Sequence, residues 1–480
     1  MSLCGTDEAH RHSTTIGILP DNALLEIFDV YRNDHDYTHY SVWKWHLLVH
    51  VCRRWRQIIF ESPRRLKLQI LCKPGTPVRE NLRIWPALPI AITYRNSWIG
   101  IAPDEEADVI TALEHHNRVC RIELDMTGSQ LEKIGRAAMQ KPFPVLTHLY
   151  IGLAEDGKTL VLPGGFLGGS APCLQKITCF GVSLRELPTL FSSASDLVEL
   201  GLYNARYVPA KVTVEGVVTF PRLATFRLAF QPNIYSFQRP PPPITRTVLP
   251  ALTEIEFKGA GDYLEDLVEL IDVPQLNKIR IDYHYLSVRP GFQVAQLSKF
   301  IDHSVGPEVS PLRPTEVYFY TGSITFDTYC HYKHSGRDWS PLRTIISCGV
   351  SAWHVSGMAQ VLNHFSTMLS TVAHLKLMTD DCQLEGIDDD DWPHFLRQFS
   401  SVQALYVSRQ FGWFIALALE DITGEMVAEA FSSLDLLCLE GQSTSSVEKF
   451  VAVRQLSGRP VTIVSTEAEF DQRLKSYIGK

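Results

Sequence analysis

The chain has no apolar run long enough to cross a bilayer. Its longest, Phe411–Leu419, is about half of the roughly 20 residues a spanning helix needs. It has no Cys-x-x-Cys pair and no Asn-x-Ser/Thr sequon. Ten cysteines scattered over 480 residues argue against a disulfide framework and read as reduced thiols of the cytoplasm or nucleus. Met1–His12 carries Asp7 and Glu8 and lacks an apolar core and a small-residue cleavage site, so it does not read as a secretory signal. An excess of positive charge is missing too. Lys plus Arg is 45 against 53 Asp plus Glu, a net charge of -8, which argues against an electrostatic grip on nucleic acid. No Gly-x-Ser-x-Gly elbow, His-Glu-x-x-His pair or Gly-x-Gly-x-x-Gly turn occurs. The expectation is therefore a protein with no catalytic residue, metal or cofactor of its own, and with neither membrane nor nucleic acid as partner.

What is present is apolar patterning. Hydrophobic residues make up 45% and charged residues 20%, so the chain should fold, either as several domains or as one repeat array. Residues 1–15 are polar and expected to be disordered. From residue 16 the pattern changes. Pro20 and Asp21 suit a first helical turn, where a missing N–H costs nothing and a carboxylate meets the helix dipole. Leu24, Ile27, Phe28 and Tyr31 then share one helix face. After a polar stretch, Trp43, Leu47, Leu48, Val51, Cys52, Trp55, Ile58 and Ile59 form a second stripe, ended by Pro63.

The elements Leu19-Pro20-x-x-x-Leu24-x-x-Ile27-Phe28 and Val51-Cys52-Arg53-Arg54-Trp55-Arg56, in that order, resemble the F-box motif. The resemblance covers about fifty residues, and Trp85-Pro86-Ala87-Leu88-Pro89-Ile90 looks like the fungal variety. Asn22 stands where an acidic residue is usual, with Asp21 beside it. The segment between the helices is long, and Arg64-Arg65-Leu66 replaces the closing aromatic. The resemblance implies a Skp1-like adaptor as partner and, through it, a cullin-RING ligase. Leu19, Pro20, Leu24, Leu25, Ile27, Phe28, Val51, Cys52 and Trp55 would supply the adaptor contact. Size points the same way, because so few helices cannot bury all these large side chains against one another.

From Val119 a template recurs, apolar-x-x-apolar-x-apolar, as in Leu146…Leu149-x-Ile151, Leu197…Leu200-x-Leu202 and Leu276…Ile279-x-Ile281. Weaker copies continue at Val317-x-Phe319, Leu342…Ile345, Val372…Leu375-x-Leu377, Val402…Leu405-x-Val407 and Leu434…Leu437-x-Leu439. Most starts are about 23 to 30 residues apart, the leucine-rich-repeat range. Helix-like stretches lie between copies, among them 130–140, 263–271, 293–303, 358–370 and 424–431. The expected fold is α/β: an F-box-like helical domain (16–72), a connector (73–118), an irregular leucine-rich-repeat-like solenoid (119–466) with parallel strands on one face and helices on the other, and a tail (467–480). Residues 283–314 and 322–343 interrupt the period, as does the extended loop at Arg239-Pro240-Pro241-Pro242-Pro243.

Three other motifs carry less. Gly152-x4-Gly157-Lys158-Thr159 matches a phosphate loop after a predicted strand, but Gly164 and Gly165 oppose the helix such a loop requires, and Glu155 and Asp156 oppose the phosphate. Cys330-His331-x-x-His334 lacks a fourth metal ligand. The acidic run Asp388–Asp391 lacks the alternation of a calcium loop and reads as solvated, with a helix starting at Trp392. The function expected from the whole is a target-recognition subunit of a Skp1-cullin-F-box ubiquitin ligase holding an unknown protein target. A scaffold without ubiquitin transfer is the alternative, and a nucleotide-binding enzyme is the remote one.

Overall fold

The computed structural model describes residues 18–33, 47–153 apart from 64, 67, 86 and 96–101, 165–181, 193–230 apart from 206, 246–283, 294–305, 313–320, 323–328, 343–349, 355, 359, 362–365, 369–370, 372–379, 392–421, 431–442 and 447–478. The helices are α1 (Asp21–Asn33), α2 (Arg53–Glu61), α3 (Val78–Ile84), α4 (Pro103–Glu114), α5 (Gly128–Ala138), α6 (Ala210–Val217), α7 (Gly261–Leu270), α8 (Ala295–Val305), α9 (Trp392–Leu396), α10 (Gly412–Asp421), α11 (Glu448–Leu456) and α12 (Glu467–Ile478). The strands are β1 (Ile70–Cys72), β2 (Ile90–Arg95), β3 (Val119–Met126), β4 (His148–Leu153), β5 (Lys176–Phe180), β6 (Glu199–Ala205), β7 (Thr225–Phe230), β8 (Thr247–Val248), β9 (Glu254–Gly259), β10 (Ile271–Asp272), β11 (Lys278–Tyr283), β12 (Arg313–Tyr320), β13 (Ser323–Thr328), β14 (Arg343–Gly349), β15 (Val372–Thr379), β16 (Ala404–Val407), β17 (Leu436–Leu439) and β18 (Thr462–Val464). Sixteen strands form one sheet, and β8 and β10 pair separately.

Many of the described units begin with a tight turn that aims the chain into its strand. Leu146, Leu174, Leu223, Leu252 and Leu276 donate their N–H to the carbonyls of Phe143, Ala171, Phe220, Leu249 and Val273. A proline follows the acceptor in all five (Pro144, Pro172, Pro221, Pro250, Pro274), where its fixed φ suits the second position of such a turn. The fuller signature is thus apolar-Pro-x-Leu-x-x-apolar-x-apolar, three residues longer than the template read from sequence. Neighbouring units are laced just ahead of the strands. Gln175 N–H bonds Thr147, Val198 bonds Gln175, Ala224 bonds Val198, Thr253 bonds Ala224 and Asn277 bonds Thr253. These are backbone bonds, so the side-chain asparagine or cysteine ladder of regular repeats is not needed here.

The strand register aligns one apolar row across the sheet. Leu124 pairs with Ile151, then Cys179, Leu202, Leu228, Phe257 and Ile281. All are buried. Burying each such side chain contributes about 1.5–3 kcal/mol, which favours stacked units over single ones.

The expected all-parallel strand direction is corrected in the middle, within the stretch where the period was expected to break. The sheet order runs β11-β14-β13-β12-β15, so β12, β13 and β14 form an antiparallel meander laid backwards into the array. Only Thr321 and Gly322 separate β12 from β13, and a two-residue link can join antiparallel strands but not parallel ones. The apolar row is nevertheless kept: Ile281 pairs with Ile346, Phe326, Val317 and Leu377 in turn.

The expected boundaries move as well. Residues 73–118 are not a connector, because they hold α3, β2 and α4, and β2 joins β1 and β3 in the sheet. β1 and β2 start the sheet, and the helices before them share its core: Leu24, Phe28, Trp55 and Ile59 belong to one cluster with Leu68, Ile92 and Ile122. Phe60 of α2 stacks on Trp85 with ring centroids 4.6 Å apart. The helix expected from Trp43 to Pro63 is broken. Cys52 is extended (φ -156°, ψ 171°), and its Sγ accepts the Trp55 N–H, so it opens α2. Residues 467–480 are no plain tail, since α12 packs on β16 and β17. Residues 1–15, 424–430, the prolines at 240–243, Cys330-His331-His334 and the acidic run at 388–391 lie outside the described residues.

Candidate protein-interaction surfaces

The N-terminal helices divide the candidate contact residues into two groups. Leu24, Leu25, Phe28 and Trp55 are sealed inside the chain. Phe28 and Trp55 meet edge to face with centroids 4.8 Å apart. Pro20, Ile27, Val51 and Cys52 face solvent, and Leu19 is half-buried. At 100° per residue, the buried positions of α1 centre on Phe28 and Leu24, while Ile27 and Val30 turn away from them. Val30 is 69% exposed and Phe28 is 1% exposed. Ile18, Val30 and Leu47 join the exposed apolar group and were missed as contacts. Val30 stands off the α1 stripe, Ile18 precedes the helix, and Leu47 lies on the second stripe, so no single spacing marked them.

Polar bonds fix this arrangement. Arg54 donates to the Asp21 carboxylate at 2.7 Å and to the Leu19 carbonyl. Arg65 pairs with Glu26. These links cross from α1 to α2 and the segment after it, so the exposed row sits on a braced support rather than on a loose arm.

The second surface is the sheet face opposite the apolar row. Successive side chains of a strand point to opposite faces. The residues alternating with the buried row are therefore Glu123 and Asp125, Tyr150, Thr178 and Phe180, Tyr203, Arg227, Glu254 and Glu256, and Lys278. Aromatic rings run across three strands. Arg95 lies 4.3 Å from the Tyr150 ring centroid, Tyr150 lies 5.6 Å from Phe180, and Phe180 stacks on Tyr203 at 4.6 Å. Beside them the charges pair laterally: Arg95 with Glu123 at 3.0 Å, Arg227 with Glu256 at 3.3 Å, Lys278 with Glu254 at 2.6 Å and Lys258 with Asp282 at 2.8 Å.

Partial burial tunes the groups on this face. Burial raises the Asp125 carboxyl, although Arg95 pulls the other way. For Glu199 burial is also the largest influence, but the hydrogen bond and charge of Lys176 together with Arg227 leave it below the usual carboxylate range. Burial, then Arg121 and Lys176, depress His148. Gly152, first residue of the phosphate-loop match, ends up beside Asp125. A Cβ there would lie 2.8 Å from the Asp125 carboxylate oxygen, so its missing side chain has a packing reason. The rest of that match, from residue 154, lies outside the described residues.

His374, on β15, is buried, its Nδ1 has no hydrogen-bond partner among the described residues, and burial lowers its pKa. A histidine depressed in the folded state takes its proton more readily in the unfolded state. Stability is then lost as pH falls below the ordinary histidine value of about 6.5. His374→Leu is expected to lose less thermal stability between pH 7.5 and 5.5 than the wild type, read as midpoints at the two pH values.

No family model matches the chain, and no curated protein does. Among solved structures, the leucine-rich-repeat protein LegL7 of Legionella pneumophila is 12% identical with a TM-score of 0.27, covering 82% of this chain and 99% of that one. A leucine-rich-repeat protein of Leptospira interrogans is 13% identical with a TM-score of 0.31, covering 83% of this chain and 91% of its own. The strand, turn and helix units described above make this region leucine-rich-repeat-like in their own right.

Proposed function

We propose that the chain is a target-recruiting subunit of a Skp1-cullin-F-box type ubiquitin ligase. The N-terminal helices bind a Skp1-like adaptor, and the open sheet face holds a protein target. The observation that carries this reading is the exposed apolar group Ile18, Ile27, Val30, Leu47 and Val51 on a braced helical support whose inner side chains Leu24, Leu25, Phe28, Trp55, Ile58 and Ile59 are buried. Five large aliphatics are exposed between residues 18 and 51, and a contiguous apolar patch of that kind marks a docking surface. The motif resemblance supports a Skp1-like occupant. The chain contributes proximity and orientation, with no bond chemistry of its own.

The discriminating variant is Ile27→Asp/Val30→Asp, because both side chains face solvent and their loss leaves the core intact. In a pull-down or titration with a purified Skp1-like adaptor, the wild type binds and the double variant binds at least 100-fold more weakly, with unchanged amide-exchange protection of α1. Wild-type chain that shows no adaptor binding, or a variant that binds as the wild type does, overturns the reading. Adaptor binding without transfer of ubiquitin to any captured target in a reconstituted ligase favours the scaffold alternative.

A further inference from the structure

The two faces of the sheet are not treated alike along its length. Toward β2–β7 the open face carries half-buried rings and ion pairs. At the other end both faces of β16 and β17 are buried. Leu405, Val407, Leu437 and Leu439 point into the main core, while Ala404, Tyr406, Leu436 and Cys438 form a second core with Phe470. Phe470 belongs to α12, so the last helix has crossed to the face opposite α9, α10 and α11. It lies over β16 and β17, inside the edge strand β18.

We propose that the face of β15–β17 opposite the main core is a binding site for an acidic amphipathic helix of a partner protein, and that α12 is the chain's own occupant of that site. The fit is written in α12. Glu467, Phe470, Asp471 and Leu474 fall at i, i+3, i+4 and i+7, one face of a helix. Phe470 is fully buried, its ring 5.7 Å from that of Tyr406. Leu474 packs beside it. Lys376 supplies the complementary charge: its Nζ lies 3.1 Å from Glu467 and 2.9 Å from Asp471, and 5.5 Å from the Tyr406 ring centroid. Burial would lower the Lys376 pKa, but the two carboxylates outweigh it and raise it, so the ammonium is held charged against the helix.

The same contacts show why α12 can be displaced. Among its described side chains only Phe470 is buried, and the positions between its anchors face solvent or are half-buried. A helix with a single buried side chain across residues 467–475 sits at the low end of local stability there, whereas β16 and β17 are covered on both faces. A partner helix with an acidic residue, an aromatic, a second acidic residue and a leucine at the same spacing reproduces the contacts that Glu467, Phe470, Asp471 and Leu474 make. This inference stands whether or not the N-terminal helices bind an adaptor.

The test uses the full chain and a fluorescent helical peptide carrying Glu-x-x-Phe-Asp-x-x-Leu. In the full-length Phe470→Ala/Leu474→Ala variant the site is vacated, and the peptide is expected to bind at least tenfold more tightly than it does to the wild type. Adding Lys376→Glu to that variant should abolish the gain. Amide exchange on the wild type is the second reading: residues of α12 should exchange at least 100-fold faster than those of β16 and β17. Peptide binding that is no stronger in the variant, binding that survives Lys376→Glu, or an α12 as protected as the strands beneath it overturns the proposal.

Discussion

Trp55→Ala is expected to cost about 3–5 kcal/mol, and to cost it locally. The indole is buried in α2, edge to face with Phe28, and both rings belong to the cluster that joins the N-terminal helices to the start of the sheet. Truncation removes the transfer free energy of a large ring and leaves a cavity that two short helices cannot close without moving apart. Each unit of a stacked array depends chiefly on its neighbours, so the loss does not spread evenly along the chain. Amide exchange in α1 and α2 should accelerate on the order of 10²–10³-fold, while β9 and β11 keep their protection. Equal acceleration at both ends would mean that the array unfolds as one cooperative unit. The contrast with Ile27→Asp/Val30→Asp is the useful part. The core variant disturbs α1 before it disturbs binding, and the surface variant does the reverse. A triple alanine variant that included Phe28 would confuse the two, since Phe28 is buried.

Most of the array was legible because each unit repeats a spacing. A leading leucine three residues ahead of an alternating pair fixes turn, strand and inward face together, as at Leu197, Leu200 and Leu202. What was missed lacked that spacing. In β2 the apolar pair Ile90 and Ile92 stands only two residues after Leu88, and the pairing with β3 slips between Ile90 and Ala91. β1 and β18 are three residues each, too short to show a period. β13 reads Ser-Ile-Thr-Phe-Asp-Thr and was taken for an interruption, because nothing in its own composition says that it pairs antiparallel.

The apolar pattern of the N-terminal helices was legible in the sequence, but which of its residues face outward was not. Leu24, Ile27, Phe28 and Tyr31 form one stripe in the sequence, and which half of it turns inward depends on where α2 crosses α1. That crossing is set by Trp55 against Phe28 and by Arg54 against Asp21 and the Leu19 carbonyl. Cys52, a candidate contact, serves as the cap of α2. The role of α12 was hidden for a different reason. Phe470 and Leu474 are two apolar residues in a charged segment, and the second face they cover exists only once the strands of four units lie side by side.

Arg454 offers the sharpest stability test at the far end of the array. It sits in α11, is 1% exposed, and donates to the carbonyls of Leu434 at 2.6 Å and Ser432 at 3.2 Å, with no carboxylate bonded to it among the described residues. Burial, and then the charge of Arg459, push its pKa down, so the folded state holds this cation at a cost. The return is structural. Ser432 and Leu434 belong to the turn that aims the chain into β17, where the Leu434 N–H bonds the Phe431 carbonyl. Arg454→Ala strands the buried Leu434 carbonyl, leaves the Ser432 carbonyl with only Arg459 as donor, and opens a cavity, and is expected to cost about 3–5 kcal/mol. Arg454→Met should cost clearly less, because it keeps the volume and removes the buried charge while losing only the hydrogen bonds. Amide exchange of β17 and β18 should accelerate strongly in the alanine variant and modestly in the methionine one. Equal effects would place the stability in the hydrogen bonds alone, and no effect in either would remove Arg454 from the support of the last turn.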